Sequence, residues 1–202
     1  SICKTPFAAE ALYVCDQCLG PLEVTYAVEA QKRAITREVI ASRAPSLWRY
    51  RELLPIDGDP KTGLRSGFTP LVRASRLADE LGMEELYIKD DSVNHPTLSY
   101  KDRVVPIAAT RAVELGLNVF GCASTGNLAN SVAAHAARLG LECYVFIPDT
   151  LEPGKILGSS ISGPRVIAID GNYDDVNRLC SEIADAYTWA CLLYTSYADD
   201  ER

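Results

Sequence analysis

The sequence predicts an α/β fold built on a mainly parallel, helix-covered sheet and preceded by a small cysteine-bearing segment. Three observations carry that expectation. From Thr69 onward, strand-like and helix-like runs alternate, as they do where helical crossovers join parallel strands. Within that stretch, residues 119–139 read as a strand, a short Gly/Ser/Thr loop and an Ala-rich helix. The opening residues differ in character, with three of the seven cysteines at Cys3, Cys15 and Cys18.

The elements follow in order. Leu12-Tyr13-Val14 and Leu22-Glu23-Val24 are short β-type runs on either side of the Cys15–Cys18 pair, and Gly20-Pro21 makes a turn. Residues 29–44 read as a polar linker, and a short helix is expected to start near Pro45–Trp48. Pro55 to Gly67 is rich in Gly, Pro and Asp, which predicts a loop. Ser75 to Leu81 is a short helix stopped by Gly82, and Leu86 to Lys89 is a strand. Tyr100 to Leu115 is a helix with Ser99 as its N-cap, although Pro106 inside it should kink or shorten it. Val119–Cys122 is a strand, Asn127–Leu139 a helix ended by Gly140, and Cys143–Ile147 and Val166–Ile169 are further strands. Tyr173–Tyr187 is an amphipathic helix with Val176, Leu179, Cys180, Ile183 and Ala184 on one face. The expected boundaries divide the chain into 1–28, the cysteine-bearing segment; 29–190, the main domain; and 191–202, a short C-terminal stretch.

Composition narrows the function. The chain has 202 residues, 48% of them hydrophobic and 23% charged, enough apolar content for a core and unlike a disordered chain. Its net charge of −7 and lack of a basic stripe argue against nucleic acid as a partner. No apolar run approaches the ~20 residues of a membrane helix, so no membrane partner and a cytoplasmic location are expected. The cysteines are then expected to be reduced thiols or metal ligands.

Three motifs could carry chemistry. In Asn94 to Arg103 a loop turns into a helix and places Lys101 in its first turn. The positive end of the helix dipole favours a neutral amine there, which suits Schiff-base chemistry; the alternative is a solvated lysine beside Asp102 and Arg103. Gly121-Cys122-Ala123-Ser124-Thr125-Gly126-Asn127 follows a strand and opens a helix, a turn whose backbone N–H groups can bind an anion. It lacks the Lys-Ser/Thr of a P-loop and is not G-x-G-x-x-G, so it suits a carboxylate or is a capped turn without a ligand. Cys3, Cys15 and Cys18 supply three of the four ligands of a zinc knuckle pair, with the fourth expected just before Ser1; the alternative is ordinary reduced cysteines.

Taken together, the two loops carry a resemblance. Pro96-Thr97-Leu98-Ser99-Tyr100-Lys101-Asp102 resembles the P-T-G-S-F-K-D lysine motif of the fold-type II (tryptophan synthase β-like) pyridoxal-phosphate enzymes. Ser124-Thr125-Gly126-Asn127 resembles that family's substrate-carboxylate loop. Lys89 through Val105, Gly67-Phe68-Thr69-Pro70-Leu71 and Asp170-Gly171-Asn172-Tyr173-Asp174-Asp175 are most like threonine synthases. The Cys15/Cys18 knuckle followed by Gly20–Val24 is similar to the N-terminal ribbon of one branch of them.

The resemblance implies a three-layer parallel sheet with helices on both faces, and pyridoxal 5′-phosphate held by Lys101 as a Schiff base. It implies a small-molecule amino-acid substrate, O-phospho-L-homoserine, converted with water to L-threonine and phosphate. Asn127 is expected to bond the cofactor's 3′-oxygen. Ser124, Thr125 and Gly126 are expected to hold the substrate carboxylate, and Ser99 to contact the substrate phosphate. Zinc is implied at Cys3, Cys15 and Cys18, and a homodimer is the assembly considered for the full-length enzyme. The alternatives are another fold-type II lyase, such as a cysteate synthase or threonine dehydratase, or a non-catalytic zinc-ribbon interaction module.

The sequence also departs from the family pattern. Leu98 replaces the motif's glycine, Tyr100 its phenylalanine, and Lys4 stands where a zinc knuckle often has glycine. The family's glycine-rich phosphate loop and its partner for the pyridine nitrogen, both from the C-terminal half, are not found. From Cys191 to Arg202 the resemblance stops, and the text looks like translated sequencing-adapter read-through. The expectation is an N-terminal fragment that is inactive alone.

Overall fold

A computed structural model describes residues 3–10, 12, 14–62 and 64–192. Its centre is a four-stranded parallel sheet of β3 (Val119–Ala123), β4 (Glu142–Pro148), β5 (Arg165–Ile169) and β6 (Ala190–Leu192), in the order β5-β4-β3-β6. The crossovers are α5 (Asn127–Leu139), α6 (Pro153–Ser160) and α7 (Tyr173–Tyr187). Alternate strand residues face opposite sides. Phe120, Cys122, Cys143, Val145 and Ile147 pack against α5 and α4 (Lys101–Glu114). On the other side Ala123 and Phe146 meet Val176 and Cys180 of α7. The result is the three-layer arrangement with helices on both faces. Alanines at 129, 133 and 136 keep α5 thin where it lies on the sheet.

β1 (Leu71–Arg73) and β2 (Tyr87–Lys89) pair antiparallel around α3 (Ser75–Leu81) and form a separate two-stranded sheet, all six of their residues exposed. The parallel expectation therefore holds for the core sheet only. The polar stretch 29–44, expected to be a linker, forms α1 (Val28–Ala34) and α2 (Arg37–Ser42). Neither helix buries a residue, so no apolar stripe announces them. Polar ties hold them instead: Thr36 caps α2 by accepting from the Val39 N–H at 3.3 Å. Arg43 forks onto Glu52 at 2.7 and 2.5 Å, next to a 3-10 turn over Leu47–Leu53.

Near the N-terminus the two expected β-type runs form no strand among the described residues, but only the bridge Val14↔Pro21; Tyr13 lies outside them. Pro106 does not shorten α4, which runs for 14 residues with that proline buried inside. Cys191 and Leu192, the first residues of the expected tail, pair with Gly121 and Cys122 in β6; 193–202 lie outside the described residues.

Candidate active site

The lysine loop is built on buried polar contacts. Asn94, 1% exposed, accepts from the Gly67 N–H at 2.8 Å and donates to the Ser99 carbonyl at 2.9 Å. Its own carbonyl accepts from the Leu98 N–H at 2.8 Å. One side chain thus ties the loop before β1 to the turn that leads into α4. The peptide bond His95–Pro96 is cis, and Leu98 adopts φ +59°, a left-handed conformation favouring glycine. Leu98 thus holds, with a side chain attached, a backbone conformation that glycine adopts freely.

Lys101 is the first residue of α4 and is half-buried. Its backbone N–H donates to the Ser99 hydroxyl at 3.1 Å, so Ser99 caps the helix start from one residue before the formal N-cap, Tyr100. Its ammonium lies 4.8 Å from the centroid of the Tyr100 ring. Arg103 is no solvated neighbour: its guanidinium forks onto Asp91 at 2.6 and 2.7 Å and donates to Thr69 Oγ1 at 2.9 Å. Thr69 in turn donates to Asp91 at 2.7 Å. The Arg103 hydrogen bond is the main reason the Asp91 carboxyl is held down at about 2.

The second loop leaves β3 at Ala123 and enters α5 at Asn127. Ser124 is buried and accepts from the Gly126 N–H at 3.4 Å; Thr125 is half-buried, and Gly126 and Asn127 are exposed. The first intrahelical bond runs from Asn130 N–H to the Gly126 carbonyl, and no side chain caps the helix. The N–H groups of Asn127, Leu128 and Ala129 therefore have no intrahelical acceptor, and they face outward at the positive end of the dipole. This arrangement fits a carboxylate or another anion. The Tyr173 hydroxyl, at the start of α7, donates to the Ala123 carbonyl at 2.9 Å and fixes the strand end below the loop.

Asp102 joins the two loops. Fully buried, it accepts from the Thr97 N–H and hydroxyl, both at 2.8 Å, on one oxygen, and from the Ser131 hydroxyl at 2.6 Å on the other. Burial alone would raise its pKa, but contacts with His135, Ser131 and Thr97 outweigh it and hold the carboxyl below its usual range. His135 Nε2 stands 3.7 Å from the same oxygen as Ser131, and both imidazole nitrogens are buried without a hydrogen bond. Sequence reading passed over Asn94, Asp91, Asp102, Ser131 and His135. One signal was present for Ser131, which follows Asn127 by four residues and so shares its helix face.

The cysteine sulfurs of Cys3, Cys15 and Cys18 all lie within 4.8 Å of one another, with Cys3 and Cys15 3.4 Å apart. Backbone N–H groups point at them: Gln17 N–H lies 3.4 Å from Cys15 Sγ. Burial pushes the Cys15 thiol up, whereas the backbone amides of Cys3 and Gly20 draw Cys18 down. Lys4 and Leu19, which follow Cys3 and Cys18, both have positive φ, +57° and +54°. The lysine at position 4 therefore adopts a backbone conformation that favours glycine.

A lysine at the start of one helix and an uncapped Ser/Thr/Gly/Asn loop at the start of the next, the two helices packed together on one face of a parallel sheet, fit the fold-type II class of pyridoxal-phosphate enzymes. The chain belongs to the pyridoxal-phosphate dependent enzyme family, whose sequence signature matches residues 64–199. It is 41% identical over 183 residues to the threonine synthase of Methanocaldococcus jannaschii, covering 90% of this chain and 45% of that one. It is 38% identical over 178 residues to the threonine synthase of Methanosarcina acetivorans, covering 86% and 43%. The chain thus spans less than half the length of these relatives. Among solved structures, threonine deaminase isoform 2 of Solanum lycopersicum matches with a TM-score of 0.56 at 25% identity, over 63% of this chain and 35% of that one. No helix among the described residues is long and apolar enough to cross a membrane.

Proposed function

We propose that this chain is the N-terminal part of a threonine synthase that converts O-phospho-L-homoserine and water to L-threonine and phosphate. The observation that carries the reading is the placement of Lys101 and Asn127 at the first positions of two helices joined by the buried Asp102–Ser131 bond. The similarity to two threonine synthases supports the choice of substrate. The residues present fit pyridoxal phosphate: a half-buried amine, an exposed amide side chain at Asn127 and a row of orphan N–H donors stand at neighbouring helix starts. The cofactor, when bound, supplies an electron sink for the carbanion formed on the substrate.

Each residue has a distinct part. Lys101 holds the cofactor, and its amine moves protons at Cα, Cβ and Cγ of the substrate. Asn127 donates to the cofactor's 3′-oxygen. Ser124, Thr125, Gly126 and the amides of the first turn of α5 bind the substrate carboxylate. The Ser99 oxygen already accepts from Lys101, and its O–H is left to donate to the substrate phosphate. Cys3, Cys15 and Cys18 hold zinc with a fourth donor from beyond the three; their mutual distances and the N–H groups aimed at sulfur support this. The enzyme acts in the cytoplasm on a small-molecule substrate, as a homodimer when full length.

The test is reductive trapping. Borohydride treatment of the chain with pyridoxal phosphate should place the label on Lys101, and O-phospho-L-homoserine added before reduction should lower that labelling more than L-serine does. Equal labelling of all lysines would contradict the reading.

A further inference from the structure

We propose that Asp102 and Ser131 are a positioning pair that sets Lys101 against Asn127 through one hydrogen bond between the first turn of α4 and the second turn of α5. The inference deepens the proposed function and rests on it for the roles of Lys101 and Asn127.

The geometry is specific. Asp102 directly follows Lys101, so fixing its carboxylate fixes the backbone that directs the lysine about 100° away around the helix. Ser131 stands one turn beyond Asn127 on the same face of α5. Their 2.6 Å bond therefore sets the separation and rotation of the two helix starts. The other carboxylate oxygen takes both donors of Thr97 and closes the loop that carries Leu98 and Ser99. One carboxylate thus joins loop, α4 and α5, and every group that contacts it is either a donor or the His135 imidazole. A carboxamide could fit only with its oxygen toward Thr97 and its N–H₂ toward Ser131, which would reverse the Ser131 bond and remove its charge. The bond is buried and charge-assisted, so losing it exposes neither partner to water and leaves a carboxylate short of donors.

A merely structural tie would respond to packing, whereas a positioning tie responds to the hydroxyl. Ser131→Thr and Ser131→Val have the same shape and differ in that group alone. In the full chain with pyridoxal phosphate and borohydride, wild type and Ser131→Thr should concentrate label on Lys101 over the other five lysines. Ser131→Val should lower the Lys101 share about tenfold, the effect of one lost charge-assisted bond, with the other lysines unchanged. Equal labelling in the Thr and Val variants would overturn the proposal.

Failure of wild type to prefer Lys101 would count against the cofactor reading, and amide hydrogen exchange then decides the positioning claim. Ser131→Val, but not Ser131→Thr, should speed exchange in residues 97–103 and 127–131 together, by about tenfold. Unchanged exchange in both segments, or faster exchange in both variants, would overturn it.

Discussion

Arg103 and Asp91 form a forked ion pair, at 2.6 and 2.7 Å, between the helix that carries Lys101 and the turn after β2. Both side chains are mostly buried, and Thr69 bonds to each. The pair anchors the two-stranded β1–β2 unit to the first turns of α4, so the loop between them is held at both ends.

This pair gives the fold an acid-sensitive joint. Asp91 is held at about 2, chiefly by Arg103, and Glu52 at about 2, chiefly by Arg43. Both carboxyls are depressed on folding, so their stabilisation is complete above the unfolded values near 4 and disappears as pH falls toward 2. Urea midpoints should drop between pH 5 and 2, and Asp91→Asn should remove about 1–2 kcal/mol of that dependence. A pH-independent difference between Asp91→Asn and wild type would contradict the assignment.

Leu98→Gly should be neutral or stabilising by up to about 1 kcal/mol, because relief at φ +59° offsets the chain entropy of glycine. The side chain is 66% exposed, so little packing is lost. Leu98→Val, β-branched at the same φ, should destabilise. Thermal melts check the strain: the melting temperature should be unchanged or raised in Leu98→Gly and lowered in Leu98→Val, and a lower melting temperature for both would refute it.

The thiols should react in order of environment. Cys18, drawn down by backbone amides, should alkylate before Cys143, pushed to about 12 by burial, and Cys122, raised well above its usual value by burial. Zinc should protect Cys3, Cys15 and Cys18 together and leave the rest unchanged. Mass mapping after a short iodoacetamide pulse reads the order, and early labelling of Cys122 would contradict the buried core assignment.

Long, strongly patterned elements were readable directly from the residues. α5 and α7 begin and end where their periodicity and caps place them, and Asn172 and Asp175 form a reciprocal capping box at the start of α7. α6 escaped because Gly154, Gly158 and two serines are poor helix formers. Gly158 is there for contact, since a Cβ would lie 2.9 Å from Asn130 Oδ1 of the neighbouring helix. At the site, Lys101 and Ser124–Asn127 were visible as motifs in continuous sequence. Asp102–Ser131, Asp91–Arg103 and Asn94–Gly67 were not, because each joins residues 12 to 29 positions apart. Only tertiary packing shows which polar residues are buried and with what.

The central claim, threonine synthase chemistry at Lys101, is tested most directly in a chimera. Residues 29–190 would replace the matching segment of the Methanocaldococcus jannaschii threonine synthase, and phosphate and threonine would be measured from O-phospho-L-homoserine. Equal release of both products, abolished by Lys101→Ala, is the expected result. A folded chimera that binds pyridoxal phosphate but releases neither product, or one whose release survives Lys101→Ala, would contradict the account.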